Sequence, residues 1–251
     1  NGAATFVDAN DPETQVTLAP NTNELVWTIE TSCGQSRDTI YFENNKPTAP
    51  DAGNDVVVCA DSVKLSANAP ISGEGTWTSE SGAVSFHDDT QPDTWAYLLQ
   101  KGDNTLTWTI EDNSGSSCGA RSDKVTITNN EPTTANAGSD DTVCDNQVSL
   151  SANTPSVGNG LWTILKGTGD FSNSKSNPDN TVTNLDFDQV NRFEWSITNN
   201  GCVSRDTVDI VDDTPTTADA GQNDTICANE VTLQANIVPV RGEGEWSTPG
   251  T

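Results

Sequence analysis

Apolar and polar residues alternate along this chain in short bursts separated by turn-forming residues. Between 147 and 153, Val148, Leu150 and Ala152 interleave with Gln147, Ser149, Ser151 and Asn153, the two-residue period of a strand with one buried face. The same reading places strands at 141–144, 147–153, 160–165, 170–172, 180–185, 192–198 and 206–211, the last two joined across Asn199, Asn200 and Gly201. No segment sustains a helical period, so helices are not expected. Seven short strands with frequent turn signals predict an all-β fold, a two-sheet Greek-key sandwich.

The pattern is copied along the chain. Gly73-Glu74-Gly75-Thr76-Trp77-Thr78 returns as Gly158-Asn159-Gly160-Leu161-Trp162-Thr163 and as Gly242-Glu243-Gly244-Glu245-Trp246-Ser247, and the period is 83 to 85 residues. Cys59, Cys144 and Cys227 keep that spacing, as do Cys33, Cys118 and Cys202. Fixed-period self-similarity marks tandem copies of one structural unit. Residues 47–131 and 132–214 overlay as two full repeats, 1–46 match the C-terminal half of one, and 215–251 match the N-terminal half. Both termini are therefore expected to cut through repeats of a longer parent chain. Trp77, Trp162 and Trp246 fall on the third strand and Trp27, Trp108 and Trp195 on the sixth. These two strands are neighbours in one sheet of an immunoglobulin-like sandwich, so the tryptophans read as core. The Pro-containing segments 46–53, 131–138 and 214–221 read as short, semi-rigid extended joints. The expected architecture is an elongated array of seven-stranded sandwiches.

Composition narrows the function. With 32% hydrophobic residues, each repeat builds only a small core, and no apolar run approaches the roughly 20 residues of a membrane span. A formal net charge of -26 argues against nucleic-acid and anionic-lipid partners, because phosphate contacts need Lys and Arg. The same charge keeps long arrays soluble and mutually repulsive. Six cysteines, one histidine and no CxxC do not describe a zinc site. Structural disulfides in an oxidising, extracellular setting are expected instead.

Two disulfide schemes follow. Cys59 and Cys144 sit after the first strand of their repeats, and Cys118 and Cys202 between the sixth and seventh. Pairing within repeats would join Cys59 to Cys118 and Cys144 to Cys202. In a sandwich of this connectivity, however, the two turns lie at opposite poles, about one strand length apart, whereas a disulfide needs Cα atoms within about 7 Å. The favoured scheme is therefore an inter-repeat bridge, Cys59 to Cys202.

Few other residues carry chemistry. His87, the one histidine, lies in a polar loop and cannot by itself build a nucleophilic triad. No helix follows the Gly-x-Gly-x-Trp phrase to make it a phosphate loop. No enzyme is expected. Acid pairs such as Asp88/Asp89, Asp140/Asp141 and Asp212/Asp213 read as solvated charge in turns and linkers. The acids at the junctions, Asp51, Asp55, Asp140 and Asp141 among them, could supply oxygens to calcium, the one cofactor considered, although no EF-hand spacing is present. Trp95, followed by Tyr97, is the candidate ligand-binding aromatic, with local variation of the core as the competing reading. Counted back from the sixth-strand tryptophan, it takes the place of Val182. The expected partners are neighbouring repeats of the same parent chain and a surface polysaccharide.

The phrases Ala-Gly-x-Asp-x-Thr-Val-Cys, Val-x-Leu-x-Ala-Asn, Gly-x-Gly-x-Trp-Thr and Gly-Cys-x-Ser-x-Asp-x-Val, in this order and period, resemble the PKD-like/Ig-like repeats of large Bacteroidota surface proteins. Most of all they resemble the giant gliding-motility adhesins of the SprB type. The likeness covers nearly the whole chain, although the PKD phrase Trp-Asp-Phe-Gly-Asp-Gly is absent. It implies type IX secretion, attachment to the bacterial cell surface and a role in adhesion or gliding motility, with this segment a structural stalk. It also implies O-glycosylation at Asp-Ser/Thr-aliphatic sites, here at Thr39, Ser62, Thr142, Thr207 and Thr225. Ordinary strand alternation is the competing reading of those tripeptides.

Overall fold

The computed structural model describes residues 4–115, 118–238 and 242–248. The outermost residues of the first and last expected domains, 1–3 and 249–251, lie outside the described residues. The chain divides into two compact units, Asn1–Asn130 and Glu131–Thr251.

The first unit opens with β1 (Thr5–Phe6) and β2 (Val16–Thr17), an antiparallel pair, followed by the hairpin β3 (Asn21–Thr31) and β4 (Gly34–Asn44). Seven strands come next: β5 (Val56–Val58), β6 (Val63–Lys64), β7 (Glu74–Ser79), β8 (Ser85–Phe86), β9 (Trp95–Tyr97), β10 (Gly102–Glu111) and β11 (Ala120–Asn129). They make two sheets, in the orders β5-β11-β10-β7 and β6-β9-β8. The first strand crosses over to run parallel to the last, and the other pairings are antiparallel.

The second unit repeats this plan. Its strands are β12 (Asp141–Val143), β13 (Gln147–Ser151), β14 (Asn159–Lys166), β15 (Asp170–Phe171), β16 (Asp179–Thr183), β17 (Val190–Asn199) and β18 (Cys202–Asp212). The sheets are β12-β18-β17-β14 and β13-β16-β15. All seven strands expected between 132 and 214 are present, in an Ig-like β-sandwich. The last begins at Cys202 rather than near 206, because Asn200 and Gly201, with φ of 44° and 93°, close a two-residue turn of the Asn-Gly type.

The repeated Gly-x-Gly-x-Trp phrase is a core-building device. Trp77 lies directly opposite Trp108 across β7 and β10, and Trp162 opposite Trp195 across β14 and β17. The ring centroids of each pair are 5.2 and 5.1 Å apart, tilted by 41° and 47°, a favourable aromatic arrangement. All four side chains are fully buried. The second glycine of the phrase makes room for the sixth-strand ring: a Cβ on Gly75 would stand 2.1 Å from Trp108 Cζ2, and one on Gly160 2.1 Å from Trp195 Cζ2. Trp27, the counterpart of Trp108 on β3, is 43% exposed.

The Pro-containing segments are not joints over their whole length. Thr48 Oγ1 accepts from the backbone N–H of Ile71 and Ser72, and Thr133 Oγ1 accepts in the same way from Ser156 and Val157. From Thr48 and Thr133 onward the chain therefore belongs to its own sandwich. Pro47 and Pro132 precede this attachment.

Candidate functional site

Carboxylates repeat along the chain because they clip its leading segments onto the last strand of each sandwich. In the first unit, Asp123 Oδ2 accepts from Ala52 N at 2.8 Å, and Asp55 Oδ1 from Thr126 N at 2.7 Å. In the second, Asp206 Oδ2 accepts from Ala137 N and Asp140 Oδ1 from Asp209 N, both at 2.8 Å. Hydrogen bonds to an ionised acceptor contribute roughly 1.5–3 kcal/mol each. Asp51 Oδ1 takes Gly53 N at 3.0 Å, and Asp141 Oδ1 takes Thr142 N at 2.8 Å. The four acids considered for calcium are thus spread over separate backbone donors. Among the described residues, no three Asp, Glu, His or Cys side chains group in a way that could hold a metal ion.

Another of the paired acids departs from the solvated-charge reading. Asp212, at the end of β18, is buried, and its Oδ1 accepts from Thr214 N at 3.0 Å and from the Thr214 hydroxyl. Asp209 receives both Arg192 Nε and Nη2 at 2.6 Å. Those hydrogen bonds hold its carboxyl below the usual range. Asp88 is lowered by the side-chain and backbone hydrogen bonds of Thr90.

A recurring asparagine escaped the reading of the sequence. Asn104 Oδ1 accepts from Gln100 N and its Nδ2 donates to Gln100 O, both at 2.8 Å. Asn23 grips Ala19 in the same two-point manner, and Asn191 grips Asp186. All three are buried and pin the loop that leads into the sixth strand. The signal was present: each stands four residues before the sixth-strand tryptophan, as Asn-x-Leu/Phe-x-Trp.

The cysteines separate into two states. Cys59 and Cys202 are each disulfide-bonded, whereas Cys33, Cys118, Cys144 and Cys227 keep their thiols. The within-repeat pairings, Cys59 with Cys118 and Cys144 with Cys202, are not formed, and strand register explains why. Val58 pairs with Asn129 at the end of β11, but Cys118 precedes the start of that strand. Val143 pairs with Asp212 at the end of β18, which Cys202 begins. In each case about ten strand residues intervene, roughly 33 Å, several times the reach of a disulfide.

Trp95 and Tyr97 project from the outer face of β9. The register places Ala96, not Trp95, at the buried position that Val182 takes in the second unit: Ala96 opposes Val63 and Phe86, and Val182 opposes Val148 and Phe171. The expected equivalence of Trp95 with Val182 is therefore off by one residue, because the connection from this strand to the sixth-strand tryptophan is one residue longer in the second unit. A one-residue shift turns a strand position to the opposite face. Trp95 is 44% and Tyr97 39% exposed, and their rings stack with centroids 6.3 Å apart and planes 17° from parallel. Of the five hydroxyls considered for glycosylation, Thr39, Thr142, Thr207 and Thr225 are exposed and Ser62 is half-buried.

No protein-family model and no curated protein matches the chain. Among solved structures it is similar to the insect immune protein hemolin, at 9% identity over 76% of this chain and 56% of that one, with a TM-score of 0.46. An I-band fragment of titin matches at 10% identity over 84% and 82%, TM-score 0.36. A SusE-like surface-located polysaccharide-binding protein of Bacteroides thetaiotaomicron matches at 13% over 66% and 35%, TM-score 0.28. The chain thus spans little more than half of hemolin. The assignment of fold rests on the strand order rather than on these likenesses.

Proposed function

We propose that the chain is a segment of an extracellular stalk built of tandem sandwiches: two full repeats, 47–131 and 132–214, flanked by parts of two more. Its task is to carry load and distance for a large bacterial surface adhesin of the kind its repeats resemble, exported and displayed for adhesion or gliding. The observation that carries this reading is the state and placement of two cysteines. Asn130 N donates to Val58 O at 2.8 Å, so Cys59 stands where the chain leaves the first sandwich. Ala135 N donates to Ser204 Oγ at 2.9 Å, so Cys202 stands where the chain joins the second. Five residue steps separate those two points, a tether of at most about 18 Å. Both cysteines are oxidised, which supports a bridge from Cys59 to Cys202 that staples one repeat to the next in an oxidising compartment.

Such a staple has a mechanical consequence. Tension applied to the two ends passes from Cys59 directly to Cys202 and bypasses everything between them. Cys144 repeats the placement of Cys59, since Asp213 N donates to Val143 O at 2.8 Å; the same rule would attach a following repeat there. Digestion of the unreduced chain followed by mass spectrometry tests the pairing. A Cys59–Cys202 cross-linked peptide that disappears on reduction is expected. A Cys59–Cys118 or Cys144–Cys202 peptide would contradict the proposal.

A further inference from the structure

The outer face of the β6-β9-β8 sheet carries something that the stalk does not require. Trp95 is flanked by Lys64, its partner on β6, and by His87, whose N donates to Trp95 O at 2.9 Å. Tyr97 is flanked by Ser85 on β8. The two half-exposed rings, stacked with centroids 6.3 Å apart and planes 17° from parallel, form one aromatic ledge with Lys64, His87 and Ser85 at the neighbouring strand positions. In the second unit the corresponding positions on β16 are Thr181 and Thr183, so the same sandwich forms without aromatics there. Exposing two large rings on a sheet face adds nothing to the core beneath, which Ala96 and its neighbours already fill.

We infer that Trp95 and Tyr97 form a binding site for an uncharged polysaccharide chain, which packs a pyranose ring against the exposed aromatic surface of the stacked pair. An aromatic face carries partial negative charge and its ligand must present the opposite sign; the C–H bonds on one side of a pyranose ring do so while leaving its hydroxyls at the edge. Lys64, His87 and Ser85 are placed to meet those hydroxyls. The ledge is an open surface, which suits the interior of a long chain crossing the sheet; a small ligand needs an enclosing pocket. Charge selects against polyanions. The chain carries a net -26, Lys64 is paired with Asp93 at 3.2 Å, and Asp88 and Asp89 follow His87. Trp and Tyr also contribute large contact area at low entropic cost, since each fixes only two side-chain torsions.

The test is affinity electrophoresis of the full chain through gels containing laminarin, mannan, xyloglucan or dextran, with alginate as the polyanion. Retardation by at least one neutral polysaccharide is expected. Trp95→Thr and Tyr97→Thr, which install the second unit's residues, should weaken it at least about tenfold while leaving the melting temperature unchanged. Three results would overturn the inference: no neutral polysaccharide retards the chain, retardation survives both substitutions, or alginate binds most tightly. Sedimentation analysis adds a fourth, since a dimer that dissociates in Trp95→Thr would make a second copy of the chain the occupant.

Discussion

Replacing Gly160 by alanine should damage the second sandwich more than its single methyl group suggests. The new Cβ would stand 2.1 Å from Trp195 Cζ2 and 2.4 Å from Cη2, where carbon atoms prefer about 3.5–4.0 Å. The ring must therefore retreat by about 1.5 Å. It is fully buried and packed on Trp162 at 5.1 Å, so it has nowhere to go without disturbing the neighbouring pair. Overpacking of this kind costs about 1–3 kcal/mol, and a rigid indole puts this site near the upper end. With a urea m-value of about 2 kcal/mol/M, the midpoint should fall by about 1.5 M, read from near-ultraviolet circular dichroism of the tryptophans. Gly201→Ala is the control: its φ is +93° with nothing within 4 Å of the added Cβ, so it costs backbone strain alone, about 1–2 kcal/mol. Trp195→Phe, in the Gly160→Ala background, should recover part of the loss. A Gly160→Ala variant no worse than Gly201→Ala, or one whose effect simply adds to that of Trp195→Phe, would refute the steric clash.

Two further outcomes follow from the polar contacts. Asn191→Ala removes both bonds to Asp186 and strands part-buried backbone groups, so it should destabilise the second sandwich by about 2–4 kcal/mol in urea melts, whereas an exposed asparagine such as Asn159 should tolerate the change. Asp209, whose carboxyl is held low by Arg192, stabilises the fold fully above the unfolded carboxylate pKa of about 3.9. That contribution fades as pH falls through the lower folded value. The midpoint difference between the native chain and Asp209→Asn should hold constant at neutral pH and close below about pH 4; a difference that persists in strong acid would count against the assignment.

Much of the fold was legible because strand alternation and the tryptophan period are both direct expressions of which side chains the core takes in. The spacing of Gly160, Trp162 and Trp195 announced one sheet, and the cysteine positions followed from strand order. Other features lacked a distinct pattern. Asn23, Asn104 and Asn191 look like turn residues, because an asparagine that bonds its own backbone carries no hydrophobic signature. Asp55, Asp123, Asp140 and Asp206 look like solvated charge for the same reason, although each accepts a backbone N–H that ties a leading segment to the last strand. The match of Trp95 to Val182 fails because it counts over a connection whose length differs between repeats. In a period-two element, that single residue decides whether a ring packs the core or faces solvent.

The stapled stalk is tested most directly by pulling the chain from its two ends in a force spectrometer, with and without reductant. If Cys59 is bonded to Cys202, residues 60–201 are shielded from tension, and the oxidised chain should stop short of its full contour by about 500 Å. Adding reductant should release that length. Equal extension under both conditions would contradict the account.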